Sequence, residues 1–245
     1  MEERASVDKD AILDALHKGT IDLQGQFISG SNYTFLGELT YTDLSFQVVY
    51  KPIRGEQPLW DFPHGSLARR EVAAYLISEA LGWNFVPPTI LRKDGPLGSG
   101  SLQQYIDHDP NDHYFNFEDT GRQQLRPVVI FDLLINNADR KGGHILRDAQ
   151  DQLWLIDHGL CFHAEDKLRT VVWDFSDEEI PGEILSCVGR LTEQLKEGEK
   201  LYSELLRYLK VIEVAALLAR ARRVCEMGRF PPPPASRRAY PWPPV

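Results

Sequence analysis

An almost wholly apolar run, Val128 to Ile135, reaches Asn136-Asn137 and then gives way to a polar loop carrying Asp139, Lys141 and Gly142-Gly143. Two short apolar stretches follow, Ile145-Leu146 and Leu153 to Ile156, around a turn with Asp148 and Asp151. A second aspartate, Asp157, stands directly after them, before His158-Gly159. This order constrains the fold more than any other stretch. A helix buried in a sizeable lobe must release the chain into a cleft, and a hairpin then brings Asp157 back towards Asp139. Two carboxylates at one cleft suit phosphoryl transfer: one lies beside an acceptor hydroxyl, the other holds a divalent cation on nucleotide phosphates.

Asp139-Arg140 and Ile156-Asp157-His158-Gly159 resemble the D-R-x-x-x-N and I-D-x-G motifs of the phosphatidylinositol 3-/4-kinase-like superfamily. That superfamily includes type II phosphatidylinositol 4-kinases, HipA-type and actin-fragmin kinases, and a group of short bacterial proteins. The resemblance covers roughly residues 25 to 175. It implies an α+β, two-lobed protein-kinase-like fold with a small β-rich N-lobe and a mainly helical C-lobe. One domain is expected over 1–228, its lobes meeting near residue 100, with a Pro-rich tail over 229–245. ATP with Mg²⁺ or Mn²⁺ is the implied cofactor set, and the phosphate acceptor is left unidentified.

The resemblance also assigns roles. Asp139 is the expected base for the acceptor hydroxyl, a function worth roughly 10²–10⁴ in rate. Asp157 is the expected metal ligand. Lys141, two residues after Asp139, corresponds to the D-x-K lysine that neutralises charge on the transferring group. His144 stands where the motif carries asparagine. Imidazole suits Mn²⁺, Zn²⁺ or Fe better than Mg²⁺, so His144 is either a metal ligand of altered preference or a hydrogen-bonded structural residue. Gly142 and Gly143 are expected to let the loop turn tightly.

Upstream, helical spacing covers residues 9–18, with Gly19 as its stop. Strands are predicted over Thr20–Ile28, Tyr33–Tyr41 and Ser45–Lys51, with a turn at Thr42-Asp43. The small polar tip Ser29-Gly30-Ser31-Asn32 is either a plain hairpin turn or a loop whose N–H groups approach phosphates. Lys51 closes an alternating strand just before Pro52. A helix follows, with Ser66 as expected N-cap, an apolar stripe from Val72 to Ala80, and Gly82 as its end. Chain order favours a Lys51–Glu71 pair that positions phosphates over a merely charged face of Arg69, Arg70 and Glu71. Ser101 to Ile106 reads as an edge strand, and Gln103, Gln104 and Tyr105 correspond to the hinge whose backbone receives adenine. Asp107 to Glu118 mimics a calcium loop, but Pro110, Asp112 at the glycine position and a preceding strand favour a solvated acidic loop. Helices are expected over Gln123–Asn136, Pro181–Lys196 and Glu199–Met227, with Arg220, Arg222 and Arg223 dressing the last helix's C-terminus.

Composition narrows the function classes. A chain of 245 residues with 42% apolar and 26% charged residues can form one full-sized core. Its net charge of −9 argues against nucleic-acid partners and weakens a membrane-surface role. No apolar run approaches the length of an integral span, so no integral membrane association is expected. Three scattered cysteines, Cys161, Cys187 and Cys225, read as reduced thiols in a cytoplasm. The tail from Phe230 cannot be helix or sheet. It is either a recognition peptide for a partner, built on Arg237, Arg238, Tyr240 and Trp242, or a terminus solvated or strapped across its own domain.

Three function classes stay open at this level. The first is an ATP-dependent kinase acting on a protein or small molecule rather than a lipid. The second is a nucleotide-binding pseudokinase serving as an interaction module. The third is a metal-dependent hydrolase using His144, Asp157, His158 and His163, which lacks the i, i+4 spacing of a zinc face and leaves Lys51 and Glu71 unused.

Overall fold

The alternating stretch that ends at Lys51 becomes the centre of an antiparallel sheet. The computed structural model describes residues 8–27 and 32–245. In the N-terminal half, α1 (Lys9–Lys18) leads into β1 (Thr20–Gln26), β2 (Phe35–Tyr41) and β3 (Leu44–Pro52). After these come α2 (Leu67–Leu81), β4 (Thr89–Gly95) and β5 (Gly98–Gln104). The described strands order as β1-β2-β3-β5-β4. Leu39, Val48, Tyr50 and Leu102 form one apolar face, which Ile12, Ala15 and Leu16 of α1 cover. Period two in the strands and period 3.6 in the helix thus meet in one small core.

Several boundaries differ from the sequence expectation. The edge strand β4 was not anticipated, and it makes β5 an interior strand where an edge strand was expected. The strand expected over 101–106 lies at Gly98–Gln104. Gly100 is needed there: a Cβ would collide with the Lys51 carbonyl, so β5 comes close to β3 only with glycine. Ser66 sits at the start of α2 but its hydroxyl caps nothing. Glu56 does this instead, its Oε1 accepting from the Ala68 N–H at 3.0 Å; a carboxylate suits the positive end of a helix. Gly82 ends α2 in the left-handed region, as expected.

The second lobe contains α3 (Asp119–Gln123), α4 (Arg126–Ile135), the hairpin β6 (Ile145–Arg147) and β7 (Leu153–Leu155), then α5 (Gly182–Gln194), α6 (Lys200–Leu205) and α7 (Val211–Met227). Ile130 and Leu134 of α4, Val188 of α5 and Leu217 of α7 are all fully buried in its core. Each such side chain contributes about 1.5–3 kcal/mol, so this lobe is the firm base from which the Asp139 loop projects. The helix expected over 123–136 is shorter, since the chain turns at Gln124-Leu125 before α4 begins. The helix expected over 199–227 is broken, because Glu213 accepts the Lys210 N–H at 2.8 Å and starts a new helix there. Residues 107–118 form a loop anchored by buried Tyr114 and Phe117, with Asp109 accepting from the Asn111 N–H at 2.9 Å.

The segment after Phe230 has neither helix nor strand and lies across its own domain. The Thr170 N–H donates to the Ala239 carbonyl at 3.1 Å, and the Gly142 N–H to the Pro244 carbonyl at 2.8 Å. Arg237 pairs with Asp166 at 2.7 Å. Of the proposed recognition residues, Arg237 is therefore committed internally, while Tyr240 and Trp242 are exposed.

Candidate active site

Lys51 reaches the cleft one residue before the end of β3, where Pro52 closes the strand and a tight turn over Ile53–Gly55 follows. Its ammonium pairs with Glu71 of α2 and stands 3.0 Å from Asp157 Oδ1. Burial alone would lower its pKa, but Asp157 and Glu71 outweigh that and raise it. The second oxygen of Glu71 accepts the His158 N–H at 2.9 Å. One helix residue therefore links the strand lysine of one lobe to the Asp157 turn of the other.

Asp157 adopts a left-handed backbone, φ 60°. Non-glycine residues enter that region at a cost of roughly 1–2 kcal/mol, here set against Lys51 on the side chain and Glu71 on the next N–H. Gly159 follows two residues on, yet Asp157 itself carries the unusual conformation. Lys51 holds the Asp157 carboxyl far below the usual carboxylate range, against burial. Its other oxygen lies 3.5 Å from His144 Nε2. Burial pulls the His144 pKa down to about 4, despite Asp157, so its imidazole is neutral at physiological pH. A hard carboxylate beside a neutral imidazole fits a divalent ion such as Mn²⁺ or Mg²⁺, with the nitrogen tilting preference towards Mn²⁺. His144 Nδ1 is buried and has no hydrogen-bond partner among the described residues.

Asp139 sits in different surroundings. The side chain of Asn137 fixes it from behind, accepting the Asp139 N–H at 2.9 Å. Lys141 Nζ is 3.4 Å from its carboxylate. Burial pushes its pKa up to about 6; Lys141 opposes that shift and Asp157 adds to it. A carboxyl poised near neutrality can both take and release a proton. Gly142 does not serve to make a tight turn: a Cβ there would meet the Phe115 ring at 2.7 Å, so the residue allows close packing instead.

Lys51, Glu71, Asp139, Lys141, His144 and Asp157 all line one cavity of about 500 Å³. Gln103, Gln104 and Tyr105 form part of its wall. Their backbone is less available than the sequence suggested: the Gln104 and Tyr105 N–H groups donate to Pro88 and Gln47 carbonyls, each at 3.0 Å. The buried Gln103 amide donates to Thr89 at 2.8 Å. Ile106, next along, also lines the cavity, and its N–H has no partner among the described residues. Ser29, Gly30 and Ser31 lie outside the described residues, although their neighbours Phe27, Asn32 and Tyr33 border the same cavity.

The four residues of the hydrolase reading do not converge. His158 is fully buried, with Nε2 2.9 Å from an Arg140 nitrogen and its ring edge-on to Phe131. His163 accepts the Glu165 N–H at 3.0 Å and meets the Phe62 ring edge-on. No group of three or more His, Cys, Asp or Glu side chains is arranged to hold a metal among the described residues.

Arg140 is the positioning residue that sequence reasoning passed over. Fully buried, it pairs with Asp132 inside α4 at 3.1 Å and donates to the Ile156 carbonyl at 2.9 Å and the His144 carbonyl at 3.2 Å. It thereby ties the helix, the loop and the strand before Asp157 into one unit. The signal was present: an aspartate inside an apolar helix needs a partner, and Arg140 is the cation eight residues on. Arg70, to which the sequence assigned no role beyond the alternative of a charged face, is buried and paired with Glu213 of α7.

No family model matches the chain. Protein Rv2133c of Mycobacterium tuberculosis (strain ATCC 25618 / H37Rv) is 40% identical to it over 93% of each chain. The chain belongs to the Rv2133c family. More distantly, it is 33% identical over 44% of its length to phosphatidylinositol 4-kinase gamma 4 of Oryza sativa subsp. japonica. It is 26% identical over 66% of its length to phosphatidylinositol 4-kinase gamma 3 of Arabidopsis thaliana. It spans only 22% and 36% of those two plant proteins. Among solved structures, the Helicobacter pylori proinflammatory kinase CtkA superposes with a TM-score of 0.53 at 13% identity, over 88% of this chain and 94% of that one. The Golgi casein kinase gives 0.51 at 16% identity, over 89% and 73%. Those likenesses show the two-lobed α+β kinase-like fold. Together with the partial sequence likeness to the plant proteins they support a kinase-like superfamily.

Proposed function

We propose that the chain transfers the γ-phosphoryl group of ATP to a hydroxyl acceptor. The observation that carries this reading is the Lys51 ammonium held between Glu71 and Asp157 in the cavity that also contains Asp139. Lys51 contacts the nucleotide phosphates, with Glu71 fixing its position. The purine lies against the wall formed by Gln103 to Ile106, where Ile106 offers an N–H. A divalent ion, held by Asp157 and His144, supplies charge neutralisation on the phosphates when bound. Asp139 takes the proton as the acceptor O–H bond breaks; the acceptor oxygen bonds to the γ-phosphorus and the bridging P–O bond to ADP breaks. Lys141 stabilises the charge on the oxygens of the transferring group.

The names of the plant relatives point to phosphatidylinositol as an acceptor for those proteins. For this chain, a net charge of −9 weighs towards a protein or small-molecule hydroxyl. The replacement of asparagine by His144 favours one second reading, a nucleotide-binding pseudokinase. Incubation with labelled ATP in Mg²⁺ or Mn²⁺, followed by mass spectrometry of candidate acceptors and of the protein itself, separates the two. Transfer that disappears in Asp139→Asn supports the kinase; ATP-dependent thermal stabilisation without transfer replaces it with the pseudokinase.

A further inference from the structure

The proline-rich tail lies outside the cleft and yet touches the loop that carries Asp139. Among the described residues, none of 230–245 borders the cleft cavity, so the strap leaves the cleft open. Its contact with the loop is to backbone. The Pro244 carbonyl accepts the Gly142 N–H at 2.8 Å, three residues after Asp139 and one after Lys141. Gly142 is buried and opens the tight turn Gly142–His144. A Cβ there would stand only 3.6 Å from the Pro244 carbonyl oxygen, so loop and tail are in direct contact.

A second contact reaches the same loop through one intermediate. Segment 169–171 runs beside the loop: the Arg169 N–H donates to the Asn137 carbonyl at 2.8 Å, and the Arg140 N–H to the Arg169 carbonyl at 3.0 Å. The Val171 N–H donates to the Arg140 carbonyl at 3.2 Å. Thr170, between them, donates its hydroxyl to Asp132 at 3.2 Å, the carboxylate that also pairs with Arg140. On its other side the Thr170 N–H donates to the Ala239 carbonyl at 3.1 Å. Gly142 and Thr170 are both buried, so each N–H needs an acceptor, and among the described residues the tail supplies it. The tail is itself pinned. Arg237 donates to the Leu168 carbonyl and pairs with Asp166, and Ala239 and Pro241 are buried.

We propose that the tail is a positioning element of the catalytic loop: the Pro244 carbonyl holds Gly142 directly, and the Ala239 carbonyl holds Arg140 by way of Thr170. The two points flank Lys141, and Arg140 adjoins Asp139. The inference rests on the kinase reading, in which Asp139 must stand at a set distance from the acceptor hydroxyl. A displacement of about 1 Å in such a group costs on the order of 10²-fold in rate. None of the side-chain hydrogen bonds and ion pairs of Lys51, Glu71 and Asp157 involves the tail. Releasing the tail should therefore slow turnover and leave nucleotide binding in place.

The test uses the full-length protein. Ala239→Arg puts a long charged side chain at a buried tail position and should lift the strap. Arg237→Ala removes the anchor more mildly, and Arg237→Lys keeps a cation for Asp166. Amide hydrogen exchange, followed by NMR, should quicken at least about tenfold at Gly142 and Thr170 in Ala239→Arg, less in Arg237→Ala and little in Arg237→Lys. Ile130 and Leu134, buried in α4, report whether the core is intact; if they lose protection in Ala239→Arg, Arg237→Ala decides alone. Turnover of labelled ATP with Mn²⁺ is counted as phosphate passed to casein, to the protein itself or to water. Its kcat should fall roughly tenfold to a hundredfold in Ala239→Arg, with KM for ATP within about twofold. Unchanged exchange at both amides in the folded variants overturns the inference, as does faster exchange with kcat at or above that of wild type. A wild type that turns over no ATP sinks the kinase reading and the tail's role with it; a working wild type with indifferent variants sinks the tail alone.

Discussion

The Asp139 loop and the Asp157 turn face the same cavity, yet their carboxylates live under opposite electrostatics. Asp157 is gripped by the Lys51 ammonium and held ionised far into the acid range. Asp139 has Lys141, 3.4 Å away, and a weaker pull from Arg169, and burial still lifts its pKa to about 6. A permanently charged carboxylate suits a cation; one that exchanges a proton near neutrality suits a base. Local environment, rather than residue type, separates the two roles.

Asp139→Asn should break the comparison most sharply. Phosphotransfer, followed with labelled ATP, should fall by roughly two to four orders of magnitude, with nucleotide affinity retained. Equal rates in the two proteins would remove Asp139 from the chemistry. Arg140→Leu attacks the frame beneath both regions, because it leaves the Asp132 carboxylate buried without its cation. Breaking a buried pair from one side costs about 3–5 kcal/mol, so urea unfolding should show a loss of that size. A loss below 1 kcal/mol would mean that the pair does not hold the loops.

Asp157→Ala should abolish the stabilisation by ATP with Mg²⁺ or Mn²⁺, measured against the variant's own apo melting point. That stabilisation amounts to about 2.7 kcal/mol at ligand a hundredfold above Kd; its survival would disprove the assigned role. A gentler probe is pH. The rate should climb about tenfold per unit as pH rises towards about 6 and level off above it, because the base must be ionised. Lys141→Met removes the opposing cation and should move that limb to higher pH.

The smallest effect concerns stability. Asp139 binds its proton more tightly folded than unfolded, so stability is lost as pH climbs from 3.8 through about 6. Asp139→Asn should therefore raise stability at pH 7 by about 1 kcal/mol, after allowing for partial exposure. A lower melting temperature would contradict the burial that sets the Asp139 pKa.

Much of this arrangement was legible in residue order. Period two before Lys51, the apolar stripe of α2 and the Asp139–Asp157 spacing each report a local rule. What stayed hidden depended on distant partners. Glu56 capping α2, Arg70 reaching Glu213 and the Arg140–Asp132 pair each join segments far apart in sequence or conceal a charge among apolar neighbours. The backbone commitments of Gln104 and Tyr105 were hidden for a related reason: they join residues to Pro88, just before β4, and to Gln47 of β3, both distant in sequence.

Helix α2 carries its two central charges on adjacent residues, and they are anchored in different directions. Arg70 is fastened to α7 through Glu213 and to the Cys161 carbonyl; Glu71 holds Lys51 and the His158 amide. Rolling or swinging this helix outward would strand four charged groups together, at several kcal/mol for each broken buried pair. The assembled arrangement is thus the resting arrangement. Moving this helix would therefore carry the cost of both pairs at once, and α2 acts as a fixed strut between the lobes.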